Sequence, residues 1–296
     1  MNVDKQINFI GIGAAKSGSS WLNNILVQHP EIEIPSRKEL TYFNRNNIEG
    51  GINRSFDNEL DYYLRFWNFT DKEKIRGEYS PQYLNDLEAP SKIHKTFPGV
   101  KLIVILRNPV HRVLSHFEYD QHFNGIISKH LKVNEALEKH PYLLNSGLYA
   151  RHLNRWFSIF PKDQIKVIIF EEAIKNPLQT SENLFHFIGL DCPKRIDFSA
   201  VNERKGIKSS TFSKLLKVPG KIDKNLEKIE SWKKVKQSGF YNSLIDAKTY
   251  LVDKNARKRE KTEFSDTVYD MLNQHYKKPN EELAKLLGIK LNHWSY

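Results

Sequence analysis

Cysteine is almost missing from this chain: Cys192 is the single one in 296 residues. That excludes an intramolecular disulfide and fits a reducing compartment. Beside Pro193 and with no charged activating partner adjoining it, the thiol reads as a packed small residue rather than a nucleophile. Also missing is any apolar run near the roughly 18 residues that span a bilayer. Ile7 to Ile12 is too short for the apolar core of a signal peptide, so a cytoplasmic location is expected. No internal repeat, low-complexity tract or metal-binding cluster is visible. Acid is in deficit, with 35 Asp and Glu against 46 Lys and Arg, a net charge of +11 that calls for an anionic partner. The remainder, 39% hydrophobic and 27% charged, is enough for one large α/β domain over residues 1–296.

What is present begins at Phe9-Ile-Gly-Ile-Gly-Ala-Ala-Lys-Ser-Gly-Ser-Ser-Trp-Leu22. Apolar residues from Ile7 to Ile12 run into Gly13, a small-residue turn holds Lys16, Ser17, Gly18, Ser19 and Ser20, and Trp21, Leu22, Ile25 and Leu26 follow at helical spacing. The pattern predicts strand, anion loop, helix. Converging backbone N–H groups and the positive end of the helix suit such a loop to a phosphate. It is not a Walker A loop, because Lys16 precedes Gly18, and not Gly-x-Gly-x-x-Gly, because Lys16 stands where the third glycine belongs.

A second motif runs from Lys101 to Phe117. Leu102 to Leu106 predict a buried parallel strand, with Arg107 at its carboxyl end, where ligands of open α/β sheets sit. Asn108 as N-cap and Pro109 as first helical residue start a helix, so Arg112 and Ser115 lie about a turn apart, and Arg107 and Ser115 can close on one anion.

Together, Ala-Lys-Ser-Gly-Ser-Ser-Trp-Leu and Leu-Arg-Asn-Pro-Val-His-Arg-Val-Leu-Ser-His-Phe resemble the two cofactor motifs of the sulfotransferases that use 3′-phosphoadenosine 5′-phosphosulfate (PAPS). The resemblance is nearest to the heparan sulfate N- and 3-O-sulfotransferase branch. It implies a three-layer, P-loop-like α/β domain with a central parallel sheet and no metal. By the same resemblance Lys16, Ser17, Gly18, Ser19, Ser20 and Trp21 hold the 5′ end of PAPS, and Arg107 and Ser115 the 3′-phosphate. Arg204, Lys205 and Gly206 stand where the family places a basic loop over that phosphate. Ser36-Arg-Lys-Glu-Leu-Thr-Tyr-Phe43 resembles the branch's Lys-Glu-x-x-x-Phe segment, which makes Glu39 the catalytic base and leaves Lys16 to stabilise the departing 3′-phosphoadenosine 5′-phosphate (PAP). His111, His116 and Glu78 are the next candidates for a base.

The acceptor side departs from that branch. Its Glu-Lys-(Ser/Thr)-Pro-x-Tyr is Glu78-Tyr79-Ser80-Pro81-Gln82-Tyr83 here, with Tyr79 replacing the lysine. Tyr79, Tyr83 and Trp156, the last on a helix expected over Gly147 to Phe160, are candidate acceptor contacts. Tyr62 to Trp67 suggest a short amphipathic helix, and Phe264 to Trp294 resemble the family's terminal helix. Between Gly206 and Thr262 about fifteen Lys and Arg face about six Asp and Glu. This insert, roughly 208 to 261, does not match the family and suits an acidic acceptor. The acceptor is expected to carry a hydroxyl or amine, with an acidic glycan, a phenol, a lipid or a natural product all compatible. A non-catalytic polyanion binder would account for the charge but not for the Arg107 motif, and no nucleic-acid partner is expected.

Overall fold

Short runs that are apolar on both faces, as at Phe9–Gly13 and Lys101–Leu106, are satisfied inside a parallel sheet covered by helices, and five strands build that sheet. They are β1 (Phe9–Gly13), β2 (Ile32–Glu33), β3 (Ile75–Tyr79), β4 (Lys101–Leu106) and β5 (Ile165–Ile169). The computed structural model describes residues 5–46, 53–199, 205–207, 256–258 and 262–294. The sheet runs β2-β3-β1-β4-β5 with every neighbouring pair parallel.

Ten helices are described: α1 (Ser19–Leu26), α2 (Leu60–Leu64), α3 (Ala89–Thr96), α4 (Pro109–Tyr119), α5 (Val133–Lys139), α6 (Tyr142–Asn145), α7 (Tyr149–Phe157), α8 (Phe170–Ala173), α9 (Pro177–Phe187) and α10 (Asp266–Leu287). The pleat of β4 sorts them. Ile103 and Ile105 pack with Trp21, Leu22 and Ile25 of α1 and Leu184 and Phe185 of α9, whereas Leu102, Val104 and Leu106 pack with Ile93 of α3, Leu153 of α7 and Leu283 of α10. α1 leaves β1 on one face while α3 leads from β3 to β4 on the other. The chain therefore reverses between β1 and β4, and the carboxyl ends of those two strands bound a crevice.

The chain divides into two compact units. The larger comprises residues 1–117, 131–202 and 264–296, and the smaller residues 118–130 and 203–263. Within the smaller unit, a π-helical turn spans Asp120–Asn124, and β6 (Lys205–Ile207) pairs antiparallel with β7 (Ala256–Lys258). The lysine-rich stretch 208–261 belongs to it and, apart from 256–258, lies outside the described residues. Among the described residues no helix is long and apolar enough to cross a membrane.

Two expectations change here. The aromatic run Tyr62 to Trp67 makes little more than one helical turn, because α2 stops at Leu64. Trp156 is a core residue rather than an acceptor platform: it is fully buried, stacks on Phe160 with centroids 5.9 Å apart, and its indole N–H donates to the Leu84 carbonyl at 3.2 Å. The buried face of α7 is Tyr149, Ala150, His152, Leu153 and Trp156, with Leu148 standing outside the helix as its cap.

Trp156→Ala is expected to lower the free energy of unfolding by about 3 to 5 kcal/mol, the range for removing a buried tryptophan. Urea denaturation followed by circular dichroism measures it, and a loss below about 1 kcal/mol would take Trp156 out of the core.

Candidate active site

The loop between β1 and α1 turns tightly because its residues tolerate left-handed backbone. Lys16 has φ 65° and Gly18 φ 99°. A Cβ on Gly18 would also stand 2.4 Å from the Phe170 ring, so only glycine closes the turn there. Neither an acidic residue in the first turn nor a side-chain cap neutralises the start of α1. Its N–H groups and dipole are thus left for a ligand.

Parallel pairing sets Arg107 beside this loop. The Ala14 N–H donates to the Ile105 carbonyl at 2.8 Å, two residues before Arg107. Asn108 then caps α4 through Oδ1, which accepts the Val110 N–H at 2.9 Å, as its sequence predicts. Two side chains join the motifs. The Tyr149 hydroxyl donates to the Arg107 carbonyl at 2.9 Å and lies 3.4 Å from the buried Ser17 Oγ. Phe170 meets Gly18 on one side and carries the Arg107 guanidinium 5.5 Å from its ring centroid on the other. Behind them Glu171 accepts the Asn108 N–H and the Trp294 indole N–H, and Trp294 packs 6.0 Å from Tyr149. Ser115 and Arg107 are both half-buried.

Arg112 and His116 lie on the buried side of α4. Arg112 donates to the Leu143 carbonyl and, at 3.2 Å, to His116 Nδ1. Because guanidinium only donates, Nδ1 accepts and the imidazole proton sits on Nε2. Burial pushes the His116 pKa well below 6.5, with the charges of Arg112 and then Lys16 adding to the shift. His116 is a neutral group that senses Lys16.

Glu39 meets the loop in one open cleft of about 390 Å³, lined by Ser19, Ser20, Asn23, Arg37, Lys38, Glu39 and Tyr79 among others. Its backbone is left-handed, φ 54°, and its carboxylate accepts from Gln82 Nε2 at 2.9 Å. Glu78, which also borders the cleft, is buried to 2% exposure. It accepts the hydroxyls of Ser80, Tyr83 and Tyr63 at 2.5, 2.7 and 3.2 Å. Burial outweighs those bonds and raises its pKa from 4.5 to about 7.

The residues expected from sequence divide accordingly. Ser19, Ser20 and Glu39 come together at the cleft, and Ser17 and Arg107 are joined through Tyr149. Trp21 is buried in the apolar layer with Leu22 and Ile25. Tyr79 borders the cleft, but its ring covers Gly11 and its hydroxyl donates to the Gly13 carbonyl at 2.8 Å, so it buttresses the loop. Tyr83 is fully buried with its hydroxyl on Glu78, which removes it from contact with an acceptor. Lys205 and Gly206 lie in β6 of the smaller unit, and Arg204 lies outside the described residues. The joining roles of Tyr149 and Phe170 were not foreseen, although Tyr149 lies in the helix expected over Gly147 to Phe160.

Residues 7–278 match the family described as sulfotransferase domain. The chain is 27% identical over 205 residues to human bifunctional heparan sulfate N-deacetylase/N-sulfotransferase 3, covering 63% of this chain and 23% of that protein. It is 26% identical over 196 residues to human heparan sulfate glucosamine 3-O-sulfotransferase 5, covering 62% and 53%. It therefore spans about a quarter to about half the length of these relatives. Among solved structures, a sulfotransferase from Alicyclobacillus acidocaldarius superposes with a TM-score of 0.67 at 22% identity over 98% of both chains, which shows the shared fold.

Glu78 makes a pH dependence visible. Its folded pKa of about 7 exceeds 4.5, so the folded state binds the extra proton between those values. Its stability contribution is full below about pH 4.5 and falls as the pH rises to about 7, by up to about 3 kcal/mol. Denaturation midpoints compared at about pH 5 and about pH 8 are expected to show this fall in the wild type and a much smaller one in Glu78→Gln. Equal falls in both proteins would contradict the assignment.

Proposed function

The chain belongs to the sulfotransferase domain family, and from that premise we propose that it transfers the sulfuryl group of PAPS to a hydroxyl or amine, with Glu39 as base and Lys16 stabilising the leaving phosphate. The observation that carries this reading is the single cleft shared by Glu39 and the first residues of α1, Ser19 and Ser20.

The loop suits the group it would hold. A turn that excludes any Cβ at Gly18, three hydroxyls, the uncapped start of α1 and two cationic side chains, Lys16 and Arg107, form a donor set for phosphate and sulfate. PAPS supplies the activated sulfur. Glu39 takes the acceptor proton while the acceptor oxygen or nitrogen forms its bond to sulfur, and Lys16 meets the negative charge left on the bridging oxygen as the sulfur–oxygen bond breaks. Preorganised donors of this kind contribute on the order of 3 kcal/mol each to a transition state. Arg107 and Ser115 hold the 3′-phosphate of PAP, with Tyr149 fixing the strand end that carries Arg107. Arg37 and Lys38 line the cleft beside Glu39 and favour an acidic glycan over a neutral acceptor.

Three variants test the reading by isotope-labelled transfer and by calorimetric titration with PAP. Glu39→Gln is expected to bind PAP normally and to lose turnover by roughly a hundredfold or more. Lys16→Ala is expected to lower turnover more than PAP affinity, because its charge acts on the transition state. Arg107→Ala is expected to weaken PAP binding by about 2 to 5 kcal/mol. Equal loss of PAP affinity in the two cation variants, or wild-type turnover in Glu39→Gln, would overturn the assignment.

A further inference from the structure

Glu39 and Thr41 both hold left-handed backbone, φ 54° and φ 52°, which non-glycine residues adopt only where the surroundings impose it. The surroundings here are one short segment. The Leu40 amide lies near enough to the Glu78 carboxylate to act against its raised pKa, and the Thr41 N–H donates to Ser80 Oγ at 3.0 Å. The Ser80 hydroxyl in turn donates to the Glu78 carboxylate at 2.5 Å, and Gln82 Nε2 donates to the Glu39 carboxylate itself at 2.9 Å. Glu39 and Thr41, either side of Leu40, are thus pinned from the end of β3 and the turn after it.

The pinning segment is rigid for its own reasons. β3 is an inner strand, paired with β2 at Ile75 and Arg76 and with β1 from Gly77 to Tyr79, and the Ser80 N–H donates to the Gly11 carbonyl at 2.9 Å, continuing the β1–β3 ladder past the end of the strand. The Tyr63 and Tyr83 hydroxyls hold the Glu78 carboxylate from α2 and from the following turn. The ladder that supports the anion loop through Gly11 and Gly13 therefore continues, through Glu78 and Ser80, into the backbone that aims Glu39.

Resting on the reading of Glu39 as base, we infer that Glu78, Ser80 and Gln82 are positioning residues that hold Glu39 in a strained conformation directed at the acceptor. None of them needs to touch the reacting atoms. Placement errors of about 1 Å cost on the order of a hundredfold in rate, so releasing one of three tethers is expected to lower kcat by roughly tenfold while leaving acceptor KM and PAP affinity within about threefold.

The test is a double-mutant cycle in the full chain. Ser80→Ala removes the hydroxyl between Glu78 and Thr41, and Gln82→Ala removes the direct contact from a partly exposed position where folding is not at stake. Each is made alone and combined with Glu39→Gln, with kcat, acceptor KM, PAP affinity and the thermal midpoint recorded for all. If these residues act through Glu39, each lowers kcat in the wild type and changes it less than about twofold in the Glu39→Gln background. Equal loss in both backgrounds, or no loss in either single variant, overturns the inference while leaving Glu39 as base. Wild-type turnover of Glu39→Gln alone rejects the base assignment, and with it the purpose of the tethers.

Discussion

Everything at the site depends on the parallel pairing of β1 with β4. It fixes the Ala14 N–H on the Ile105 carbonyl, so the start of the anion loop and the strand end bearing Arg107 are held side by side by backbone alone. Side chains then refine what the ladder has set. Tyr149 spans from Ser17 to the Arg107 carbonyl, and Phe170 wedges between Gly18 and the guanidinium. Burial pushes the Tyr149 pKa up, so the phenol keeps its proton and remains a donor. Charge is concentrated in the same place. The half-buried Lys16 and the buried Arg112 both act on His116, and burial keeps that imidazole neutral. A neutral His116 avoids adding a third cation beside Arg112 and Lys16.

Much of this architecture was legible because it rests on local rules. The apolar run of Leu102 to Leu106 marks a buried strand, Asn108-Pro109 marks a helix start, and Gly18 between hydroxyls marks a tight turn before a helix, and each of these elements is found where those rules put it. What was hidden depends on contacts between distant segments. No pattern within Tyr149 to Phe157 says that its first hydroxyl will join two motifs 90 residues apart. Tyr83 and Trp156 looked like acceptor contacts because an aromatic with a polar edge has the same signature at a cleft and in a core. The structure separates the two cases by giving each polar edge a buried partner. Composition marks the basic stretch 208–261 but not residues 118–130, which join it in the smaller unit and resemble any helix and loop, nor the left-handed backbone of Glu39 and Thr41, since neither is a residue type that advertises it.

Glu78 shows how a site and a core share one group. A carboxylate buried to 2% exposure is costly, and three hydroxyls and a backbone amide reduce that cost without removing it, as its raised pKa records. A glutamine there would accept through one oxygen only, so hydroxyls that now donate would have to accept from its amide instead. The carboxylate accepts from all three hydroxyls, at a cost in stability beside the cleft.

Trp294 carries a consequence for how the protein is made. Its indole N–H closes on Glu171 and its carbonyl accepts from Asn108, a contact 186 residues apart in sequence. At the ribosome's pace of about 5 to 20 residues per second, Asn108 waits on the order of ten seconds or more for that partner. Over that interval the β1–β4 ladder can form, but the wall behind Tyr149 cannot. The strands of the sheet are thus all available for pairing well before the segment that backs Tyr149 is made.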